Sequence, residues 1–374
     1  MSGNDTRARG TVRRWHWVIR AVTAGTAGLL AASGAAAGAQ VSAAGASATH
    51  ASAAGPSWHI VKQVPGGNFT AVVATGKTSG WAFDATSTPT AYQRSGSTWK
   101  RVAFPGQRFE TVVAAGATSP GSVWAFTDQF AGGSRVLHWD GRRWSVVKTF
   151  AKQIGGAAVL RDNSVWVFGE PYAPANGLGA WYYNGHAWTQ FGKNQMGGSV
   201  LSARDVWAFN GALVYHWNGR TWSAVSVARL LPAKQFLNSP AVTGIIALSA
   251  KDVYAIGNGN RQDEGGPVVV LHYNGRTWSK VAQGEYGYGA GQQIAADGRG
   301  GLWLPMPGPL GGPSHLAHYA AGKLTAASLP VGAQYIYVDS IARIPGTTQQ
   351  LVGGFTHAKG NPGRNIAAVL LQYS

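Results

Sequence analysis

Beyond residue 57, four histidines precede an aromatic residue, at His138-Trp139, His216-Trp217, His272-Tyr273 and His318-Tyr319, and such a set is the first candidate for a metal centre. Metal ligation requires the imidazoles to converge on one ion at bonds of about 2 Å. Each of these four instead fills the same slot of a repeated phrase. The spacing therefore predicts one structural histidine per unit, with no ion shared between them. The next chemistry to consider is that of carboxylates. Asp263-Glu264 is an adjacent acidic pair, and glycoside hydrolysis needs two carboxyls about 5–5.5 Å apart in retaining enzymes and wider apart in inverting ones. Acids are scarce, however, at 14 against 31 basic residues, and Asp162, Asp205 and Asp252 fall where strands are expected to turn. There is no Gly-x-Ser-x-Gly elbow. There is also no cysteine, which excludes disulfides, thiolate metal sites and a cysteine nucleophile. The glycines at 257–259 and 284–291 do not follow phosphate-loop spacing. No cofactor and no metal are expected.

The elements that must position any site belong to a repeat. One phrase recurs as Ser122-Val123-Trp124-Ala125-Phe126, Ser164-Val165-Trp166-Val167-Phe168, Asp205-Val206-Trp207-Ala208-Phe209 and Asp252-Val253-Tyr254-Ala255-Ile256. Weaker copies stand at Gly80 to Phe83 and Gly301 to Leu304. A second phrase follows each after a variable gap: His138-Trp139-Asp140-Gly141-Arg142-Arg143-Trp144, Tyr182 to Trp188, His216 to Trp222 and His272 to Trp278. One unit thus reads as an apolar strand, a short turn, the Val-Trp-Ala-Phe strand, a variable loop, and a hairpin made at Asn-Gly or Asp-Gly. That dipeptide predicts a tight turn with both central residues at positive φ. Four short antiparallel strands without intervening helical periodicity make a propeller blade.

Second-strand phrases centre on Trp81, Trp124, Trp166, Trp207, Tyr254 and Trp303, and a seventh unit without the tryptophan runs from Ser340 to Tyr373. This last unit stops before its fourth strand. The missing strand is predicted at the other end, where Ser57-Trp58-His59-Ile60-Val61 matches the fourth-strand phrase. The fold expected is therefore all-β: a seven-bladed β-propeller whose last blade is closed by the N-terminal strand, leaving no open edge. Spread over residues 57–374, seven units give about 45 residues per blade, inside the usual range for propellers.

These phrases resemble the Trp-Ala-Val-Gly … His-Trp-Asn-Gly-x-x-Trp repeats of secreted actinobacterial β-propellers and, more loosely, kelch and galactose-oxidase-type propellers. The hairpin phrase is also similar to the Asp box of sialidases, through Gly-x-Thr-Trp at Gly96, Gly219 and Gly275. The acid or amide stands directly before the glycine here, which departs from that box. The resemblance implies a fold and carries over no catalytic residue.

Ahead of the repeats, residues 1–39 read as an export signal: five arginines against Asp5, an Ala/Gly/Leu run from Ala21 to Ala37, and a small-x-small cleavage pattern at Ala37-Gly38-Ala39. Arg13-Arg14-Trp15 resembles a twin-arginine signal, while Thr11-Val12 and His16 depart from it. Ordinary secretion is thus the expectation and the twin-arginine route the alternative. Residues 40–56 form an Ala/Ser/Gly-rich spacer. Removing the signal takes five arginines and one aspartate from the net charge of +17 and leaves +13. A basic, exported chain is attracted to anionic material outside the cell. Nothing in it reads as a groove-reading nucleic-acid motif, nor as a membrane span once the signal is gone.

A propeller has two ends. The turns between strands one and two and between strands three and four are short here and share one end, where Arg142, Arg143, Arg220 and Arg276 collect. Irregular segments gather at the other end, and loops on a rigid scaffold are where function usually lies. Candidate ligand contacts are therefore Glu170, Tyr172, Arg229, Lys234, Arg261, Asp263, Glu264, His357 and Lys359. The expectation is a monomeric, secreted binding or scaffold protein, engaging an anionic cell-wall or extracellular polysaccharide or a protein partner at the loop-rich end. The alternative is a glycoside hydrolase or polysaccharide lyase using the mouth of the channel.

Overall fold

A computed structural model describes residues 56–129, 132–170, 177–233, 240–258, 266–287, 293–306, 315–330, 334–358 and 361–374. Among these residues the chain is all β, with a single 3-10 turn at Ala228–Leu230 and no helix long and apolar enough to cross a membrane. Five four-stranded antiparallel sheets follow one another, and a further assembly of eight strands consists of two more blades. Those two are joined only by a parallel pairing of Gly169 with Met196. The count is seven blades, as the repeat predicts.

Closure occurs as the sequence implies. The strand Trp58–Pro65 pairs antiparallel with Asn361–Tyr373, in a register that sets Trp58 against Tyr373 and Pro65 against Ala367. The main chain continues the match, with Ser57 N donating to Ser374 O at 3.0 Å. Trp58 is 6% exposed and meets Trp303 edge-on at 5.3 Å and Tyr373 at 5.2 Å. The closing strand is therefore anchored by its first residue.

Position within a blade dictates composition. The second strand lies between neighbouring blades and is covered on both faces, so Val165–Gly169 is buried throughout and reads as an unbroken apolar run rather than an alternation. Trp81, Phe83, Phe126, Trp166, Phe168 and Phe209 are nearly inaccessible, and burying each such ring stabilises the fold by about 2–3 kcal/mol. The outermost strands face water, and Trp222–Ser226 is mostly exposed after its first residue. On six of the seven innermost strands the pairing slips by one residue near the loop-rich end, for example between Val112 and Ala114 and between Val338 and Ser340. The extra residue frees a carbonyl from the ladder. One such group, Val113 O, accepts from Gln293 Nε2 at 3.0 Å. Gln293 belongs to the sixth blade and Val113 to the second, so this side chain bridges the middle of the ring.

The structure corrects the hairpin expectation. The Trp139–Trp144 and Trp217–Trp222 pairs close loops of four residues, not two. Only the glycines take positive φ, at 93° for Gly141 and 91° for Gly219. The preceding Asp or Asn instead turns its side chain inward: Asp140 Oδ1 accepts from Arg142 N and Arg143 N at 2.8 and 2.9 Å. An Asx side chain thus replaces a backbone carbonyl in forming the turn. The two-residue turn with both central residues at positive φ occurs elsewhere, at Ala321-Gly322.

Candidate binding surfaces

The recurring histidines are internal to their blades. His216 Nε2 meets Asp205 Oδ1 at 2.9 Å, His272 meets Asp252 at 2.8 Å, and His318 meets Asp297 at 2.9 Å. In the second blade Ser122 Oγ takes the acid's place against His138 at 2.9 Å. Each imidazole also lies on the aromatic ring of its own second strand, with centroids 4.3 Å apart for Trp124–His138 and 4.2 Å for Trp207–His216. The turn before strand two, the aromatic of strand two and the histidine of strand three are thereby tied together. Among the described residues no group of three or more His, Asp or Glu is placed to hold a metal ion.

Of the nominated ligand contacts, Glu170, Arg229 and His357 are described, whereas Tyr172, Lys234, Arg261, Asp263, Glu264 and Lys359 lie outside the described residues. Glu170 follows the second strand of the third blade, and its amide donates to Gln153 O at 3.2 Å. Arg229 is exposed on the 3-10 turn between the fourth and fifth blades. His357 departs from its expected place. Residues 356–358 extend the strand Gln350–Ala358 rather than forming a loop, and His357 is wholly buried. Its ring lies 4.9 Å from Tyr337 and 5.4 Å from Tyr335, and this aromatic packing accounts for the longer strand. The carbonyl of Ala358 faces Nδ1 at 3.1 Å and can only accept, so Nδ1 carries the proton. Nε2 is buried without a hydrogen-bond partner. The three residues stand on different parts of the ring and form no common site.

Other residues at the loop-rich end escaped the sequence reading. Asp84, 2% exposed, accepts from Asn68 N at 2.7 Å; burial raises its carboxyl pKa, against the opposing pull of that bond and of Arg101. Asp339 lies deep in the ring at the extra residue of its strand, and desolvation pushes its carboxyl up to about 6, partly offset by a hydrogen bond from the Asn68 side chain. Its Oδ2 and Asn68 Oδ1 are both shielded from water without partners. Glu110 and Arg135 form a buried ion pair, with Arg135 Nε donating to Glu110 Oε1 at 2.7 Å and Nη2 donating to Pro105 O at 2.8 Å.

Two adjoining cavities open on the outer side of the first two blades. One, of about 600 Å³, is lined by Thr86–Thr90 and Arg101–Phe104, which are the loop-rich-end segments of the first blade. The other, of about 310 Å³, shares Val102, Ala103 and Phe104 and continues along Pro105, Trp139, Arg142, Arg143 and Trp144. The lining offers hydroxyls, guanidinium groups and aromatic rings, and includes no carboxylate. Phe104 and Trp144 meet edge-on at 5.2 Å. Sequence could flag only the tryptophans and hairpin arginines here, because the cavity arises where the first blade's outer strand meets the second blade.

No protein-family model and no curated protein matches the chain. Solved structures do. YCF48 bound to a D1 peptide superposes with a TM-score of 0.54 at 15% identity, covering 84% of this chain and 96% of that one. YCF48 from Cyanidioschyzon merolae gives 0.52 at 14% identity, over 85% and 98% of the two chains. The WD40 β-propeller domain of Doa1 gives 0.57 at 10% identity, over 84% and 96%. At these identities the likeness is one of fold, and the fold it supports is the β-propeller.

Proposed function

We propose that the chain is a secreted binding scaffold that holds an anionic extracellular or cell-envelope polymer, such as an acidic polysaccharide, in a groove that opens at the loop-rich end of its first blade and runs to the hairpin of its second. The arginine-rich and then apolar N-terminal segment supports export. The observation that carries the ligand class is the pair of joined cavities beside the first two blades. Arg101, Arg142 and Arg143 supply positive charge there, Phe104 and Trp144 supply apolar walls, and Thr86 to Thr90 supply hydroxyls. Those are the groups that sugar rings and carboxylate or phosphate substituents need. Guanidinium groups suit such oxyanions through paired donors. Of the acids nearby, Asp84 is buried, Glu110 is paired with Arg135, and Asp140 is occupied by the amides of its own turn.

Retention of the full chain on immobilised polygalacturonate tests the proposal. Arg101→Gln is expected to weaken retention about five- to tenfold at 50 mM salt, and adding Arg143→Gln to abolish it, with unchanged thermal stability. Retention indifferent to both changes and to salt would remove the polymer reading and leave a protein partner at the same end. The carboxyl of Asp339, its pKa raised by desolvation, supports the second reading, a carbohydrate-active enzyme. Turnover of a polysaccharide, lost in Asp339→Asn, would put that reading first.

A further inference from the structure

The short-turn end of the ring has a charge pattern that the polymer reading does not use. Hairpin residues Arg220, Arg276 and Lys323 and strand-one-to-two turn residues Arg204, Lys251 and Arg299 are all exposed there, and none of them lines the cavities. The acids of this end are fewer, and each is engaged beside its own turn. Asp205, Asp252 and Asp297 are held by histidines, Asp140 by the amides of its turn, and Asp162 by Ser164 at 2.6 Å. Exposed cations therefore outnumber the carboxylates around this end.

The shape of this end adds a second constraint. Its described turns are uniformly short, with hairpin loops of two or four residues, so no loop stands above the others and the cations lie at a common height around a closed ring. A strand of polymer crossing such an end meets a few blades at a time. A flat anionic surface meets all of them together. The exposed large apolar side chains of the described residues, Phe109, Phe191, Leu213 and Val225 among them, belong to the loop-rich end or to strand faces rather than these turns. Among the described residues nothing at this end is built to insert into a hydrocarbon layer, and attraction without insertion is screened within about 10 Å at 0.1 M salt.

We propose that the short-turn end docks flat on an anionic phospholipid bilayer through headgroup contacts of its ring of arginines and lysines, leaving the loop-rich end facing away. Juxtaposed Lys and Arg side chains are what anionic leaflets attract. The inference does not depend on the ligand of the cavities, and the two fail separately.

Co-sedimentation of the full chain with vesicles of phosphatidylcholine alone or with 30% phosphatidylglycerol tests it. At 50 mM salt the bound fraction is expected to be at least tenfold higher on the anionic vesicles, and the excess to vanish at 500 mM. The triple variant Arg220→Glu, Arg276→Glu, Arg299→Glu should lose that excess. The matching Lys triple variant should keep it, which separates charge from misfolding. Arg101→Gln should change it less than twofold. Equal binding to both vesicles, or an excess that survives charge reversal or follows Arg101, would overturn the proposal. So would loss of polygalacturonate retention in the Glu triple variant with no vesicle binding in the parent, since the surface would then serve a polymer.

Discussion

The histidines whose repetition first suggests a metal centre hold their own blades together. A histidine bonded to an acid or serine and stacked on a Trp or Tyr recurs in four blades, with Nε2 contacts of 2.8–2.9 Å. Its repetition in one slot was legible in the sequence. Its partner was legible only in hindsight, as the Ser or Asp that opens the Val-Trp or Val-Tyr phrase in three of them and as Asp297, four residues before the phrase, in the sixth blade. Asp339 gave no such sign, because it belongs to a degenerate unit and its burial depends on the first blade closing over it. Its carboxyl is pushed up to about 6 by desolvation. The folded chain therefore keeps a proton that the unfolded chain, near 3.8, has already lost. Stability falls as pH rises through that window and stays lowered above it. Asp339→Asn is expected to gain about 2–3 kcal/mol at pH 7 and little at pH 4, read from denaturant midpoints at the two pH values. The same pH slope in variant and parent would contradict the assignment.

Among elements, the hairpins show where reading a sequence meets its limit. The Asn-Gly and Asp-Gly signals correctly located the turns between strands three and four. Their loop length was misjudged because the Trp residues flanking them pair with each other, as in Trp217 with Trp222, and this cross-strand pairing sets a four-residue loop. The Asx side chain then caps it: Asn218 Oδ1 accepts from Arg220 N at 2.9 Å and Thr221 N at 3.0 Å. Asn218→Ala should cost about 1 kcal/mol of stability, while Asn218→Asp should cost little, measured as shifts in unfolding midpoint. An alanine variant as stable as the parent would mean that the glycine alone makes the turn. The extension of the strand Gln350–Ala358 beyond Phe355 was missed for a related reason. Thr356 and His357 look loop-like in a stretch of polar and small residues, but Tyr335 and Tyr337 across the pairing draw the histidine into the sheet.

For the whole molecule, the blade count and the manner of closure could be read directly, since a truncated last unit and an orphan Trp58 phrase fit one another. The division of charge between the two ends and the joined cavities could not. Each gathers turns that are far apart in sequence and depends on which side chains fold back. Both binding surfaces exist only if the ring is complete, and the ring is complete only if the strand from Trp58 pairs with the strand ending at Tyr373. Native-state hydrogen exchange tests that pairing directly. Those amides of residues 59–64 that donate to the strand Asn361–Tyr373 should be protected and should exchange through global opening together with Leu351 to Phe355 of the same blade, while the outward-facing amides of this edge strand exchange freely. Exchange within seconds of the inward-facing amides too, while the rest of the blade stays protected, would show an open ring and contradict the account.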